Sequence, residues 1–593
     1  MSSIARFLEA ARADEAVFIS DVREAFEREG TRGLACLVTL YDDRVRRFDL
    51  RFPAFEAPEE REFAASYLNA TVYNMLSSLG AKRFDLYHDA ADGELRSLAL
   101  GLNEAFQVDL PKGERSGYGK CLNVNERTLN ALCEGAGRFR FSVHPLGELP
   151  GTPARGGAPE VERIDFAHLP DAARGRTLMG MDVGGTDVKI AVSIDGELRF
   201  FKEYDWFPAA FTRAEQLISP LVLLTRLMRA AAAMAKCGRA DEVPAAALDK
   251  SATDAEMEKA ASEMERAVGG ALPGFDAIGL CFPDVVIRNR IVGGETYKTR
   301  GMREQTEVDY EAEFAKITDL CDRLRPFAAE GGAIMNTNDG PMAAFTTAVE
   351  VAAAGENLRD GFFAHTLGTE LGTGWILPDG SIPEIPLEVY NFIIDLGSFR
   401  QRAYGVDDAR SVRNFNTGLS GTLQKCTCQS GVFRLAAKYL PGREPEVYAR
   451  VLSEGLFVQS GGGLHVPTEP RDLRKPCLEF FMREAENPDS VSAEIFRRVG
   501  EYLAITWKET QYILEPACAS RALFGRLVKT DACFKLIDEG AKRIVKDIRQ
   551  FAADDALANS PLMKQLAAHP HYTIAQFAQA VGAIYFGCTG LKK

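Results

Sequence analysis

The stretch Leu178 to Ile194, LMGMDVGGTDVKIAVSI, constrains this chain more than any other. Two runs of apolar and β-branched residues flank Asp182-Val183-Gly184-Gly185-Thr186, so the segment reads as two buried strands joined by a tight turn. Glycine suits such a turn because a positive φ costs it nothing. A Gly-Gly turn alone needs no further explanation, but the Asp entering it and the Thr leaving it do. They add a carboxylate and a hydroxyl to a cluster of free backbone N–H groups. That combination suits phosphate oxygens and their metal ion.

At 593 residues the chain is too long for one hydrophobic core, so roughly two to four domains are expected. Its 46% hydrophobic and 26% charged residues fit a soluble globular enzyme. A net charge of −14 argues against a nucleic-acid partner, which needs clustered Lys and Arg. The opening MSSIARFLEAARADEAVF has no apolar core of signal-peptide type. The segment LISPLVLLTRLMRAAAAMA is interrupted by Arg226 and Arg229 and reads as a buried helix, so no membrane partner is expected. The 12 cysteines are scattered and read as reduced thiols of a cytoplasmic protein. Cys426 and Cys428 could form half a zinc site, but no second pair or nearby His completes it, and no zinc is expected.

Along the chain, residues 1–150 read as a separate α/β domain, with a hairpin turning at Asp42-Asp43 and a helix that ends at Gly80. A Pro- and Gly-rich linker covers 151–176. Residues 177–345 form a first lobe, with an exposed Ala-, Glu- and Lys-rich helical insertion near 235–272, and 346–593 form a second. No short-period repeat is present.

Four further motifs follow the first turn. GLCFPDVV is a strand ending at Pro283, and NTNDGPMAAF places Asn338-Asp339 just before a helix. LGTELGTGWI brings a second Gly/Thr hairpin with Gly368, Thr369, Gly372, Thr373 and Gly374. Near the C-terminus a long helix and a strand lead into a turn at Gly525.

This order resembles the ROK family of sugar kinases and repressors, within the actin/hexokinase/Hsp70-type ATPase superfamily, over about Leu178 to Gly587. The resemblance implies a two-lobed, ribonuclease H-like α/β fold, and a kinase using ATP and Mg²⁺ on a small-molecule sugar or polyol. It implies that Asp182, Gly184, Gly185 and Thr186 in the first turn grip the nucleotide phosphates, with Gly368, Thr369, Gly372, Thr373 and Gly374 in the second. Asp182 would hold Mg²⁺, directly or through water. Asn338 would contact the sugar and Asp339 act as catalytic base. The sugar motif falls at LEVYN, with Glu388 kept and Asn391 in place of a His. Gly525 stands where a Gly-Gly lies beneath adenine. The chain also departs from the pattern at Glu370, where the family has glycine, and at Asp187, where it often has Lys.

Each residue also has a plainer reading. Asp339 could cap the helix after it, Asp182 could cap a turn, Glu388 could be a solvated loop carboxylate, and Lys298 and Arg300 could be surface charge rather than anion ligands. Two other functions therefore stay open: a non-catalytic sugar- or nucleotide-binding regulator, and a phosphohydrolase in which Asp339 activates water. The first 150 residues could shape the substrate pocket, pair two copies into a homodimer or carry an unrelated activity.

Overall fold

The computed structural model of the protein describes residues 2–133, 138–151, 163–294, 296–368, 370–400, 404–552 and 557–591. Thr369 and residues 152–162 of the expected linker lie outside them. The chain is α/β, as its sequence implies. Strands β1 (Arg32–Thr39) and β2 (Val45–Phe52) form the expected hairpin, closed by the Leu40 N–H on the Arg44 carbonyl at 2.8 Å with Asp43 at φ 66°. Phe48, Leu50 and Phe52 are buried while Arg47, Asp49 and Arg51 alternate outward, the period of a half-covered strand. With β3 (Arg83–His88) and β4 (Phe141–Pro145) they make a sheet in the order β2-β1-β3-β4.

The next sheet carries the first turn. Strands β5 (Thr177–Val183), β6 (Asp187–Ile194) and β7 (Glu197–Asp205) form an antiparallel meander. Strand β8 (Phe275–Phe282) pairs parallel with β5, and a two-residue hairpin of β9 (Val286–Ile287) and β10 (Arg290–Ile291) follows. Strand β11 (Ala328–Asn338) pairs parallel with β8 and completes the order β11-β8-β5-β6-β7. Strands β5 and β8 are buried almost throughout, the mark of strands covered on both faces.

The remaining strands are β12 (Phe362–Leu367) and β13 (Leu371–Ile376), the short pair β14 (Val458–Ser460) and β15 (Gly463–His465), and β16 (Ser520–Phe524) with β17 (Arg549–Ala552). One sheet runs β13-β12-β16-β17.

Two compact units result. Unit 1 comprises Met1–Glu160, His365–Thr373 and Ile385–Ala552, and unit 2 comprises Val161–Ala364, Gly374–Glu384 and Ala553–Lys593. These units cut across the boundaries at 150 and 345 read from the sequence, because both chain ends pack far from their sequence neighbours. Within unit 1 the N-terminal segment is tied down by buried polar contacts. Val17 N–H donates to Asp395 Oδ1 at 2.9 Å, and the Asn74 amide exchanges two hydrogen bonds with the Ile393 backbone. Arg23 pairs with Glu509 at 2.6 Å, almost wholly buried, and its guanidinium lies 3.7 Å from the centre of the Tyr512 ring. Removing one partner of such a pair would leave an uncompensated buried charge.

In unit 2 the helix Glu215–Lys236 is long and apolar enough to cross a membrane, yet it packs Leu217, Ile218, Leu221, Leu224, Leu227 and Met228 into the core. Its Arg226 pairs with Glu265 and Glu258 of the helix Asp254–Val268. That second helix opens on a Thr253/Glu256 capping box and buries Met257, Ala260, Ala261 and Met264. The insertion is therefore half covered, not exposed as expected, because small and flexible apolar residues line one helical face.

The C-terminal helix Ile574–Cys588 lies on β5 and β8. Its approach is set by two strand glycines. A Cβ built at Gly180 would lie 1.9 Å from the Ala580 carbonyl oxygen, and one at Gly279 would lie 1.7 Å from that of Ala583. Gly279→Ala should accordingly destabilise the folded chain by about 1–3 kcal/mol, the usual cost of overpacking. A denaturation midpoint equal to wild type would show that the helix does not sit this close.

Candidate active site

Three parallel strands of unit 2 end at one edge of their sheet. Asp182 of β5 is in register with Cys281 of β8, and Cys281 with Thr337 of β11. With strands about 4.8 Å apart, groups at these ends converge, and the carboxyl ends of parallel strands are where open α/β sheets bind ligands. The Cys281 thiol donates to Asp182 Oδ1 at 3.1 Å. Burial pushes the Asp182 pKa up to about 6, Asp339 and Asp187 push the same way, and the Cys281 hydrogen bond and Lys189 oppose them. Burial holds the Cys281 thiol well above its ordinary range, so it remains a protonated donor. The Asp339 charge is thus felt by Asp182 across the sheet edge.

The helix Asp339–Ala353 starts directly from β11, and its cap is Asn338, not Asp339. Asn338 Oδ1 accepts from the Gly340 N–H at 2.9 Å, and its Nδ2 donates to the Asp284 carbonyl. Asp339 is left as the first helical residue, half-buried, with Oδ1 2.8 Å from the Gly340 N–H. Gly374 packs against this same helix start, since a Cβ there would lie 2.3 Å from the Gly340 carbonyl oxygen.

The first turn is held from three sides. Gly184 N–H donates to the Asp187 carbonyl at 2.8 Å, Trp206 Nε1–H to the Gly184 carbonyl at 2.9 Å, and Trp206 N–H to the Thr186 carbonyl at 3.1 Å. Neither glycine has a positive φ, contrary to the expectation for this turn. Gly184 is required by close approach instead, because a Cβ would lie 2.6 Å from the Asp187 carbonyl oxygen. At Gly185 a Cβ would meet only Lys298 Cε, at 3.1 Å, the far part of a flexible side chain. Backbone packing demands a glycine at 184, whereas at 185 only the Lys298 side chain would have to move.

Lys298 and Arg300 part company. Arg300 pairs with Glu304 at 2.7 Å, whereas Lys298 is half-buried beside Gly185 with no carboxylate in ion-pair reach among the described residues. Asp187 carries its own cation, Lys189. The loop bearing Lys298 is pinned to Asp284, whose carboxylate accepts from Val285 N–H at 2.8 Å and Gly294 N–H at 2.7 Å. Trp206, Cys281 and Asp284 were not singled out from the sequence. The doublet Gly293-Gly294 was the available sign for Asp284, since a Cβ at Gly293 would lie 1.7 Å from Asp284 Oδ1.

Other candidates belong to unit 1. Gly368 N–H donates to the Glu370 carbonyl at 3.1 Å, tightening the second hairpin. Gly525, at φ 90°, abuts the end of β12, where a Cβ would lie 2.5 Å from the Leu367 carbonyl oxygen. The structure therefore brings Gly525 to the Gly368 hairpin. Gly372 lies within β13, and the Thr373 hydroxyl is buried, 3.2 Å from His365 Nδ1. Asn391 Nδ2 donates to Glu388 Oε2 at 3.1 Å, and Glu388 N–H donates to the Ser77 carbonyl at 2.9 Å. Burial first, and then the Glu388 and Glu370 charges, push the Tyr390 pKa up. Cys426 and Cys428 are buried free thiols, with burial pushing Cys426 up to about 12.

No protein-family model and no curated protein matches the sequence. Among solved structures, a ROK hexokinase from Thermus thermophilus is similar at 16% identity, covering 69% of this chain and 97% of that one, with a TM-score of 0.35. A ROK family protein from Streptococcus pneumoniae in complex with sucrose has 13% identity, 66% and 98% coverage and a TM-score of 0.34. For a glucokinase from Parabacteroides distasonis the values are 13%, 70%, 99% and 0.33. At these identities the likeness is one of fold.

Asp182 makes a stability prediction. Its folded pKa of about 6 lies above the ordinary carboxylate value, so the ionised group costs stability increasingly between about pH 4 and 6 and fully above that. Asp182→Asn should therefore be more stable than wild type by about 1–3 kcal/mol at pH 8, and lose that advantage near pH 4. A variant equally stable to wild type at both pH values would contradict the burial of this charge.

Proposed function

We propose that the protein transfers a phosphoryl group from ATP to a hydroxyl of a sugar or sugar-like polyol. The observation that carries this reading is the meeting, at one strand edge, of the carboxylates Asp182 and Asp339 with a turn where a Cβ at Gly185 would meet no backbone, only the Lys298 side chain. Phosphoryl transfer asks for little covalent chemistry from the protein, and mostly for positioning and charge neutralisation.

In this reading the backbone of Gly184, Gly185 and Thr186 lies against phosphate oxygens, which a side chain at Gly185 would obstruct. Asp339 takes the proton from the attacking hydroxyl, and Asn338, fixed by its own hydrogen bonds, touches the same sugar. A buried carboxylate whose proton affinity is raised by burial and by a neighbouring carboxylate suits a hard cation with oxygen ligands, so Asp182 would hold Mg²⁺, directly or through water. That ion would neutralise charge on the phosphates. In unit 1, Gly368, Thr369, Gly372 and Thr373 are assigned to the nucleotide phosphates, with Gly374 of unit 2, Gly525 to the base, and Glu388 and Asn391 to the sugar. The inward-facing Thr373 hydroxyl leaves that residue only its backbone for the role.

A second reading, a binder without turnover, is favoured by Glu370, whose negative charge sits in the second hairpin. The test is a phosphotransfer screen with ATP, Mg²⁺ and a panel of sugars, amino sugars and polyols, with a control lacking acceptor. Asp339→Asn should lose about 10²–10⁴-fold in turnover while binding MgATP as tightly as wild type. Binding of sugar or nucleotide without turnover in wild type would establish the second reading. Hydrolysis that no acceptor suppresses would make the protein a phosphohydrolase.

A further inference from the structure

We propose that Lys298 is the protein's own cation at the first turn, contacting the terminal phosphate of the bound triphosphate, an inference that rests on the phosphoryl-transfer reading above. The charge around the turn motivates it. Asp182, Asp187 and Asp339 place three carboxylates at or beside the strand edge, and Lys189 is taken up by Asp187. A triphosphate brought there needs positive charge beyond a single divalent ion. Lys298 is the described cation that lies against Gly185 and pairs with no described carboxylate, while its neighbour Arg300 is committed to Glu304.

The loop holds Lys298 in place by contacts that do not involve its own ammonium. The Gly294 carbonyl accepts from Arg303, Tyr310 and Thr299, and Gly294 N–H binds the Asp284 carboxylate. Asp284 in turn receives Asn338 Nδ2 on its carbonyl, so one hydrogen-bonded chain fixes both the Lys298 loop and the residue before Asp339. Beyond Lys298 the loop is pressed on the segment after β7, where a Cβ at Gly301 would lie 2.5 Å from the Phe211 carbonyl oxygen and 2.7 Å from that of Ala209. A loop backbone so anchored at both sides needs no further ordering to bring the Lys298 side chain to the turn, which is what preorganisation contributes to binding.

Calorimetry on the full chain with MgATP, magnesium tripolyphosphate and adenosine tests the assignment, alongside steady-state kinetics with an accepted sugar. Lys298→Met should weaken MgATP and tripolyphosphate by about ten- to a hundredfold, as expected for loss of a charge-assisted hydrogen bond to phosphate. Adenosine affinity should stay at the wild-type value, and Lys298→Arg should recover most of the loss. Because the contact is with the group being transferred, kcat should fall along with kcat/KM. Should Lys298→Met fail to fold, Lys298→Gln carries the same comparison. A folded neutral variant with wild-type MgATP affinity and kcat, in a protein that does phosphorylate a sugar, overturns the inference alone. A wild-type protein that binds neither MgATP nor tripolyphosphate overturns the phosphoryl-transfer reading, and this inference with it.

Discussion

The parallel pairing of β5, β8 and β11 is the constraint from which the chemistry of unit 2 follows, because it brings residues 182, 281 and 337 to one edge although about a hundred and fifty positions of sequence separate the outer two. That pairing in turn depends on close packing from the chain's far end. The helix Ile574–Cys588 reaches the sheet only because positions 180 and 279 carry no side chain. A methyl group at either would meet backbone, which cannot swing aside as a side-chain tip can. The same economy recurs at Gly374 on the helix start and at Gly184 in the turn. At Gly185 a Cβ would meet only the Lys298 side chain, and that is why the proposed phosphate role falls on it.

Unit 1 gives the N-terminal residues a physical place. Its helix Pro58–Ser78 ends where the Ser77 and Ser78 carbonyls accept from Glu388 and Leu387, and the Glu388 charge is felt by Tyr73 and Cys121 of the N-terminal segment. The segment carrying Glu388 and Asn391 is thus built on N-terminal residues. The burial of Arg23 with Glu509 and of Asn74 against Ile393 makes that join costly to open, since a separated partner would be left charged or unsatisfied away from water.

Much of the local structure was legible from residue pattern. Alternation in β2, the apolar runs of β5 and β6, and the Asn-Asp before Pro341 each placed an element correctly. What the pattern could not supply was non-local. Nothing around residue 580 says that it lies on β5, although isolated glycines inside strands are the usual sign of a close backbone approach. The insertion was read as exposed because Met257, Ala260, Ala261 and Met264 form a narrow stripe among charges. The turn was right in kind and wrong in cause: glycine is needed at 184 for space, not for a left-handed φ. Asp339 as helix cap was the simpler expectation, and Asn338 takes that role because its backbone is still extended, at φ −73° and ψ 157°, while its side-chain oxygen accepts from the Gly340 N–H. Lys298 reads as surface charge in the sequence because its position depends on a loop anchored through the Asp284 carboxylate, a link that no local pattern shows.

The claim at the centre of this account is that the Asp182-to-Thr186 turn is shaped for phosphate, and Gly185 allows it to be tested without disturbing the fold. A Cβ there would have one contact within 4 Å, the Lys298 Cε at 3.1 Å, and no backbone. Calorimetric titration of MgATP into wild type and Gly185→Val, with thermal melting of both, isolates the two effects. The account predicts a melting temperature close to wild type and an affinity for MgATP reduced at least about tenfold, the loss expected when backbone N–H groups can no longer reach a charged oxygen. Wild-type MgATP affinity in a folded Gly185→Val protein would contradict it.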